Sequence, residues 1–191
     1  MRRRQLLATV GGLGAGTLAG CSQVAGPQTL ASPTVQREDG EVTMHFGEAG
    51  DPVATSTFLY GSQPDRRELT AVKYRMSHRN ETNVDSLELA IRAPPSGVGP
   101  PAAVYMAVPN NSEFPEVTLR SHPNSQARLI EIPDVGTIGR GTFGLDFFVD
   151  PFEAEGPLPV RIAMESTLSE SGILERAYRL DGTVTVEIPM E

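Results

Sequence analysis

The chain contains a single cysteine, Cys21, which lies at the end of a mildly apolar run near the N-terminus. One thiol can neither close an internal disulfide nor supply a multi-thiolate metal site. The three residues before it, Leu18, Ala19 and Gly20, are small or apolar. This setting is typical of a cysteine whose thiol becomes thioether-linked to a lipid while the chain before it is removed. We therefore expect Cys21 to be a lipidation site.

The residues that precede this cysteine have the features of an export signal. Two arginines, one intervening residue and two apolar residues form the twin-arginine pattern: Arg3, Arg4, Leu6 and Leu7. The apolar run over residues 6–19 is only 14 residues long and contains four glycines. A membrane-spanning helix needs about 20 predominantly apolar residues. We expect a signal peptide over residues 1–20 that is removed on export.

Taken together, residues 2–21 resemble the N-termini of Tat-exported, lipobox-containing lipoproteins of halophilic archaea, with Leu18, Ala19, Gly20 and Cys21 as the lipobox. The resemblance implies a protein anchored by lipid to the cell membrane, on its extracytoplasmic face. It covers residues 2–21 alone and implies nothing about the fold of the remaining chain.

The composition excludes one class of partner. The formal net charge is −8, and loss of residues 1–20 would leave 13 basic against 24 acidic side chains, a charge of −11. Nucleic-acid binding requires a basic surface, so we expect no nucleic-acid partner. Hydrophobic residues make up 39% of the chain, enough for a packed core, and the 19 glycines and 16 prolines favour frequent turns.

Familiar catalytic patterns are missing from the sequence. The stretch Gly61-Ser62-Gln63-Pro64 departs from a Gly-x-Ser-x-Gly nucleophile elbow directly after the serine. The only lysine, Lys73, has Thr70 three residues before it, so no Ser-x-x-Lys pair exists. No glycine-rich phosphate loop is present. We expect a protein that is not an enzyme, with no catalytic residue and no cofactor.

The three histidines, His45, His78 and His122, are far apart in sequence and include no local chelating pair. A blue-copper centre would need a cysteine thiolate beside two histidines. We expect His45 to face solvent, because its parity is opposite to that of the apolar residues around it, and His78 to point inward or lie at a strand end. His122 should end its strand, because it precedes a proline. The sequence therefore predicts no metal site.

Two N-glycosylation sequons occur in predicted turns, Asn80-Glu81-Thr82 and Asn110-Asn111-Ser112. An exported protein would bring both into the compartment where glycosylation takes place. Asn80 and Asn110 are therefore candidate glycosylation sites.

The remaining sequence divides into a linker and a domain. Residues 21–39 are small, polar and without periodicity, which predicts a lipidated cysteine followed by a flexible linker. From residue 40 to 191, alternation of apolar and polar residues predicts many short strands. The clearest rows are Val42–Phe46, Val72–Met76, Leu87–Ile91, Val104–Val108, Ile130–Ile132, Phe143–Val149 and Val160–Leu168, with weaker candidates at Thr55–Tyr60 and Val117–Ser121.

Asp181-Gly182 separates two alternating runs near the C-terminus, which predicts a two-residue hairpin turn there. Short strands with one apolar face favour two antiparallel sheets packed face to face. We predict an all-β fold, an immunoglobulin-like antiparallel β-sandwich, with another sandwich or a barrel as the alternative. The Cys…Trp…Cys signature of true immunoglobulin domains is absent, so the label is architectural.

These observations favour a membrane-anchored extracytoplasmic lipoprotein that acts as a binding or structural module of the cell envelope. Its expected partners are the membrane, through the lipid on Cys21, and an envelope protein or glycan. The alternative is a solute- or metal-binding carrier that serves a membrane complex.

Overall fold

The computed structural model describes residues 26–61, 70–93, 102–107, 115–151, 157–171 and 176–189. These residues form twelve strands and one short 3₁₀ helix, Gly136–Gly139. The strands are β1 Gln28–Ala31, β2 Thr34–Glu38, β3 Glu41–Glu48, β4 Asp51–Tyr60, β5 Thr70–His78, β6 Thr82–Arg92, β7 Ala102–Ala107, β8 Thr118–Ser121, β9 Arg128–Ile132, β10 Thr142–Pro151, β11 Leu158–Glu170 and β12 Arg176–Ile188. No helix among the described residues has the length and apolarity needed to cross a membrane.

The strands form two six-stranded sheets that pack face to face. The first sheet has the order β1-β12-β11-β6-β9-β8, and the second has the order β2-β3-β4-β5-β10-β7. Every pair is antiparallel except β1 with β12. The fold is therefore an immunoglobulin-like β-sandwich, which confirms the prediction. Each of the alternating rows and both weaker candidates lies wholly or largely in a strand.

One core fills the space between the sheets, because the inward side of most strands is mainly apolar and buried. Its largest members come from both sheets and include Phe46, Phe58, Tyr74, Phe147, Ile162 and Met164. The rings of Phe58 and Tyr74 pack with centroids 5.2 Å apart. Such a core is the dominant stabilising term in a domain of this size.

A buried thioether joins the two sheets at the centre of this core. The sulfur of Met164 in β11 accepts a hydrogen bond from the Ser56 hydroxyl at 3.1 Å and from the Tyr74 hydroxyl at 3.3 Å. Both donors belong to the second sheet. Burial raises the pKa of the Tyr74 hydroxyl well above its usual range. The hydrogen bonds to the Met164 sulfur give both hydroxyl groups a partner in a site that excludes water.

The flexible linker predicted for residues 21–39 is wrong for residues 28–38, which form strands β1 and β2 in different sheets. The chain crosses between the sheets at Ser32, which has a φ of +66°, and Pro33. Edge strands need little apolar side-chain surface, because backbone hydrogen bonds to an existing sheet satisfy them. Leu30 also packs against the core, and Arg37 donates to the Thr185 carbonyl at 2.7 Å.

The predicted hairpin at Asp181-Gly182 is also wrong. β12 continues through both residues and pairs with β11 from Arg176 to Ile188, with Gly182 opposite Met164. Gly182 lies on the inward face, where a Cβ would come within 2.8 Å of the Met44 sulfur and 2.9 Å of Phe46 Cζ. The glycine is required here by the close approach of the second sheet rather than by a turn.

Gly182→Ala should therefore destabilise the domain by about 1–3 kcal/mol, because the new methyl group overpacks a fully buried contact. Urea denaturation followed by circular dichroism measures the free energy of unfolding. Gly61→Ala is the matched control, since a Cβ there meets no atom within 4 Å. Equal stability of the two variants would contradict the close approach at Gly182.

Candidate functional site

Four carboxylates lie side by side on the outer face of the first sheet. In the strand register, Glu131 of β9 is opposite Glu88 of β6, Glu88 is opposite Glu165 of β11, and Glu165 is opposite Asp181 of β12. We call these residues the acidic row. Like charges directly opposite one another across strands destabilise a sheet, so this arrangement is costly unless something offsets it.

The outward position of the acidic row follows from alternation. On β6 the neighbours Leu87 and Leu89 are buried, and on β11 the neighbours Met164 and Ser166 are buried as well. Side chains between buried residues on a strand must point to the opposite face. The core therefore dictates that Glu88 and Glu165 face outward at the same level of the sheet.

Two arginines offset part of the negative charge at the row. Arg120 of β8 forms an ion pair with both carboxylate oxygens of Glu131, and Arg179 of β12 pairs with Glu165. Among the described residues, Glu88 has no basic side chain within ion-pair distance. Glu88 therefore lies between two carboxylates, Glu131 and Glu165, without an ion pair of its own.

The pKa values follow this arrangement. Burial raises the pKa of the half-buried Glu88 carboxyl. The charge of Glu131 and the hydrogen bond between the two carboxyl groups raise this pKa further, and the charge of Glu165 adds a smaller effect. The hydrogen bond from Arg120 lowers the pKa of the Glu131 carboxyl. A proton added to this pair therefore goes to Glu88, which then donates to the Glu131 carboxylate.

A groove of about 540 Å³ lies along the acidic row, and we call it the sheet groove. Its polar lining consists of three glutamates, several hydroxyl groups and one guanidinium: Glu88, Glu131, Glu165, Ser86, Thr118, Ser166, Thr167 and Arg179. The hydroxyls of Ser86 and Thr167 are hydrogen-bonded to each other at 2.6 Å. Pro27, directly before β1, and Pro133, directly after β9, contribute apolar surface.

The chemistry of the sheet groove is that of a hydrogen-bond acceptor site. A concave surface with a few convergent polar groups on an apolar lining is typical of binding sites. Its three carboxylates suit a ligand that carries positive charge or several N–H and O–H donors. Within the described ranges, no three His, Cys, Asp or Glu side chains are arranged to hold a metal ion.

The histidines lie in different parts of the sandwich. His45 is in β3 on the outward face, as predicted, and His78 is the last residue of β5, at the strand end allowed by the prediction. The Nε2 atom of His78 accepts from the Gly141 amide at 3.1 Å, and its Nδ1 lies 2.8 Å from the Thr82 hydroxyl. His122 follows β8 in the other sheet, as expected.

Most residues assigned a role from sequence lie outside the described residues. These are Arg3, Arg4, Leu6, Leu7, Leu18, Ala19, Gly20, Cys21 and Asn110. Asn80 is described and lies exposed in the turn between β5 and β6. That position makes its side chain accessible, and its glycosylation stays a prediction.

Sequence reasoning did not identify the acidic row. Glu88, Glu131 and Glu165 are each recognisable as the polar member of an alternating strand, which marks them as outward-facing. Their alignment depends on the register between strands that are distant in sequence. Glu88 is 43 residues from Glu131 and 77 residues from Glu165. Asp181 was not recognised as an outward-facing strand residue, because Asp181-Gly182 was predicted to form a hairpin turn.

The family model described as "Domain of unknown function (DUF8121)" matches residues 27–190. No curated protein matches the chain in sequence. Among solved structures, the GAE domain of GGA2p from Saccharomyces cerevisiae is 9% identical, with a TM-score of 0.39, and the match covers 84% of this chain and 99% of that domain.

A collagen-binding domain from a Staphylococcus aureus adhesin is 10% identical, with a TM-score of 0.36, and the match covers 68% of this chain and 95% of that domain. The collagen adhesin CNA from S. aureus is 5% identical, with a TM-score of 0.30 and coverage of 85% and 92%. Likeness at this level carries no information about what this chain binds.

Glu88→Gln should stabilise the folded domain at neutral pH. A raised pKa in the folded state means that folding disfavours the ionised carboxyl, so this penalty grows as the pH rises above the unfolded-state pKa, near 4.3. We expect a gain of a few tenths to about 1 kcal/mol at pH 7, the range for one cross-strand pair. The gain should vanish below about pH 4, where the carboxyl is protonated in both states.

Thermal and urea unfolding across this pH range measure the difference. Glu187→Gln is the matched control, because it removes one exposed carboxylate from β12 away from the acidic row. A loss of stability in Glu88→Gln at pH 7 would contradict the proposed repulsion at the centre of the row.

Proposed function

Given that this chain belongs to the DUF8121 family, whose domain spans residues 27–190, we propose a function from its own residues. The protein is a lipoprotein anchored through Cys21 to the extracytoplasmic face of the cell membrane. Its β-sandwich is a binding module, and the sheet groove is the surface that receives a basic segment of another envelope protein. It acts by binding rather than by catalysis.

The proposed anchor rests on the motifs around Cys21, and the start of the fold supports it. β1 begins at Gln28, so only residues 22–27 separate a lipidated Cys21 from the first strand. The seven Cα–Cα steps from Cys21 to Gln28 span at most about 25 Å when fully extended. An anchor at Cys21 would therefore hold the start of β1 close to the lipid surface.

The observation that carries the proposal is the place of the sheet groove next to this entry point. Pro27 lines the groove and is directly followed by β1. Three other groove residues lie near the ends of their strands. Arg179 is three residues from the end of β12 at Arg176, Thr167 is three from the end of β11 at Glu170, and Ser86 is four from the end of β6 at Thr82. At about 3.3 Å per residue, this part of the groove lies about 10–13 Å from the end of the sheet where the chain enters. A ligand in the groove would then be near the membrane.

The charges of the sheet groove support a basic partner. Glu88 lacks an ion-pair partner among the described residues, while Glu131 and Glu165 are already paired. An arginine or lysine of a partner would place its charge beside Glu88 and remove the repulsion within the acidic row. The groove residues include carboxylates, hydroxyls and a guanidinium, and the three carboxylates give it a negative lining.

The anchor is tested by Cys21→Ser in the full chain expressed in a haloarchaeal host. The variant should appear in the carbonate-soluble fraction or the medium, whereas the natural sequence should remain in the membrane pellet, because only Cys21 offers a thiol for lipid. Ser22→Ala is the matched control and should stay membrane-bound. Membrane retention of Cys21→Ser after a carbonate wash would overturn the anchor assignment.

The binding surface is tested by titrating residues 22–191 with a hexa-arginine peptide at low ionic strength, using calorimetry. Glu88→Gln should bind about fivefold more weakly, about 1 kcal/mol for one exposed charge pair. Glu187→Gln removes the same charge far from the groove and should change the affinity less than about twofold. A hexa-glutamate peptide should not bind.

Equal weakening in Glu88→Gln and Glu187→Gln would show a general attraction to the acidic domain and contradict the groove. Because Glu88→Gln should also be the more stable protein, weaker binding by this variant cannot be attributed to unfolding.

A further inference from the structure

A second pocket, of about 370 Å³, lies between the two sheets at the end of the sandwich where the chain enters, and we call it the end pocket. Residues 28–33 form one wall, and residues 46–48 of β3 form part of the other. β2 pairs with β3 only as far as Thr34 with His45, so the last residues of β3 have no β2 neighbour. The two layers of the sandwich are therefore open to each other at this corner.

Two arginines line the end pocket, Arg176 at the start of β12 and Arg79 in the turn between β5 and β6. Arg176 has the same parity along β12 as Tyr178 and Leu180, which are buried in the core. Because residues of one parity lie on one face of a strand, Arg176 continues the inward face of β12 past its last buried residue. Guanidinium groups thus lie at this end of the core.

The acidic neighbours of the two arginines compensate their charge only in part. Glu170 is opposite Arg176 in the register, yet its carboxylate accepts from the Tyr178 hydroxyl at 3.2 Å, and Arg176 forms no ion pair with a described residue. Arg79 donates through Nη2 to the carbonyl and the carboxylate of Asp51, at 2.7 and 2.8 Å. The Nε atom of Arg79 is buried and has no partner in the described part of the chain.

The lining of the end pocket differs in charge from that of the sheet groove. It contains two arginines and one carboxylate, Glu48, in a chain with 24 acidic and 16 basic side chains. Guanidinium groups suit an oxyanion such as phosphate, because their planar N–H donors bind two oxygens at once. The half-buried Leu30 and Pro33 add apolar surface to the same pocket. A ligand with a phosphate group and an apolar portion fits this lining.

The anchor proposed above would bring the end pocket close to such a ligand. Gln28 lines the pocket and is seven Cα–Cα steps, at most about 25 Å, from Cys21. A short flexible linker keeps the two sites it joins at an effective concentration in the millimolar range. A pocket with a dissociation constant of about 1 mM for a lipid phosphate, a free energy of about −4 kcal/mol, would then be substantially occupied at the membrane.

We propose that the end pocket binds the phosphate group of a membrane lipid. Arg176 and Arg79 donate to the phosphate oxygens, and Leu30 and Pro33 contact the apolar part of the lipid next to the phosphate. The inference rests on the proposed anchor, which supplies the lipid surface. The bound lipid gives the tethered domain a defined orientation, with this end of the sandwich toward the membrane.

An NMR titration of residues 22–191, which include every described strand, tests the proposal with dihexanoyl phosphatidic acid below its micelle concentration. Physiological salt screens the negative charge of the rest of the domain. The amide signals of residues 28–31 and the side-chain N–H signal of Arg176 should shift, with a dissociation constant of about 1 mM. Arg176→Gln should bind at least about tenfold more weakly, because it removes a charge-assisted donor.

Arg161→Gln is the matched control, because it removes an exposed arginine near the opposite end of β11, and its affinity should change less than about twofold. The amide spectra of both variants check that they are folded. Equal affinity of Arg176→Gln and the natural sequence, or no saturable shift with the natural sequence, would overturn the proposal.

Two further ligands separate the possible sources of phosphate. Dihexanoylglycerol, which lacks phosphate, should cause no saturable shift, and inorganic phosphate should bind at least about fivefold more weakly than the lipid because it makes no apolar contact. Equal affinity for inorganic phosphate would assign the pocket to free phosphate and overturn the lipid assignment. Residues 22–191 carry no anchor, so failure of this titration is distinguishable from failure of the fractionation test at Cys21.

Discussion

The register between strands depends on the burial of their inward apolar faces. A slip of one residue would expose an entire apolar row and bury its polar neighbours, so the core admits only one alignment of β12, β11, β6 and β9. The alignment fixed by the core also decides which residues are neighbours on the outer face. Glu131, Glu88, Glu165 and Asp181 are level with one another because Ile130, Leu89, Met164 and Leu180 on the same strands must lie inside.

The acidic row is thus a place where the demands of the core and the electrostatics of the surface conflict. Arg120 and Arg179 relieve the repulsion at Glu131 and Glu165, and the remaining repulsion falls on Glu88. In the function that we propose, a cationic group of a partner supplies the missing compensation. Binding and the stability of the sheet would then be linked through the same carboxylate.

Much of the fold was predictable from sequence, because the alternation of apolar and polar residues is a local property. It identifies a strand even when the neighbouring strands in the sheet are not known. The strands that include Val72, Phe143 and Val160 are recognisable in this way. The predictions fail where a residue serves a distant contact. Gly182 resembles a turn residue in the sequence, yet it meets Met44 and Phe46 of the opposite sheet.

The segments β1 and β2 were missed for a related reason. Their residues lack an apolar face, and their order comes from backbone pairing: β1 pairs with β12, which is distant in sequence, and β2 pairs with β3, the next strand in the same sheet. The sheet groove was hidden because its glutamates converge only through register. Local sequence predicts which side of a strand a residue occupies, whereas the neighbour across the strand depends on topology.

The parallel pairing of β1 with β12 has a mechanical consequence. Tension on the N-terminus directed away from the body of the domain, and along the strands, pulls β1 lengthwise past β12. All four register pairs, from Gln28 with Tyr178 to Ala31 with Asp181, then bear the load together, in shear. A strand that is instead pulled sideways from one end would lose its bonds one at a time. The crossing at Ser32 and Pro33 passes the remaining load to β2 in the second sheet, so that both layers of the sandwich resist the same force.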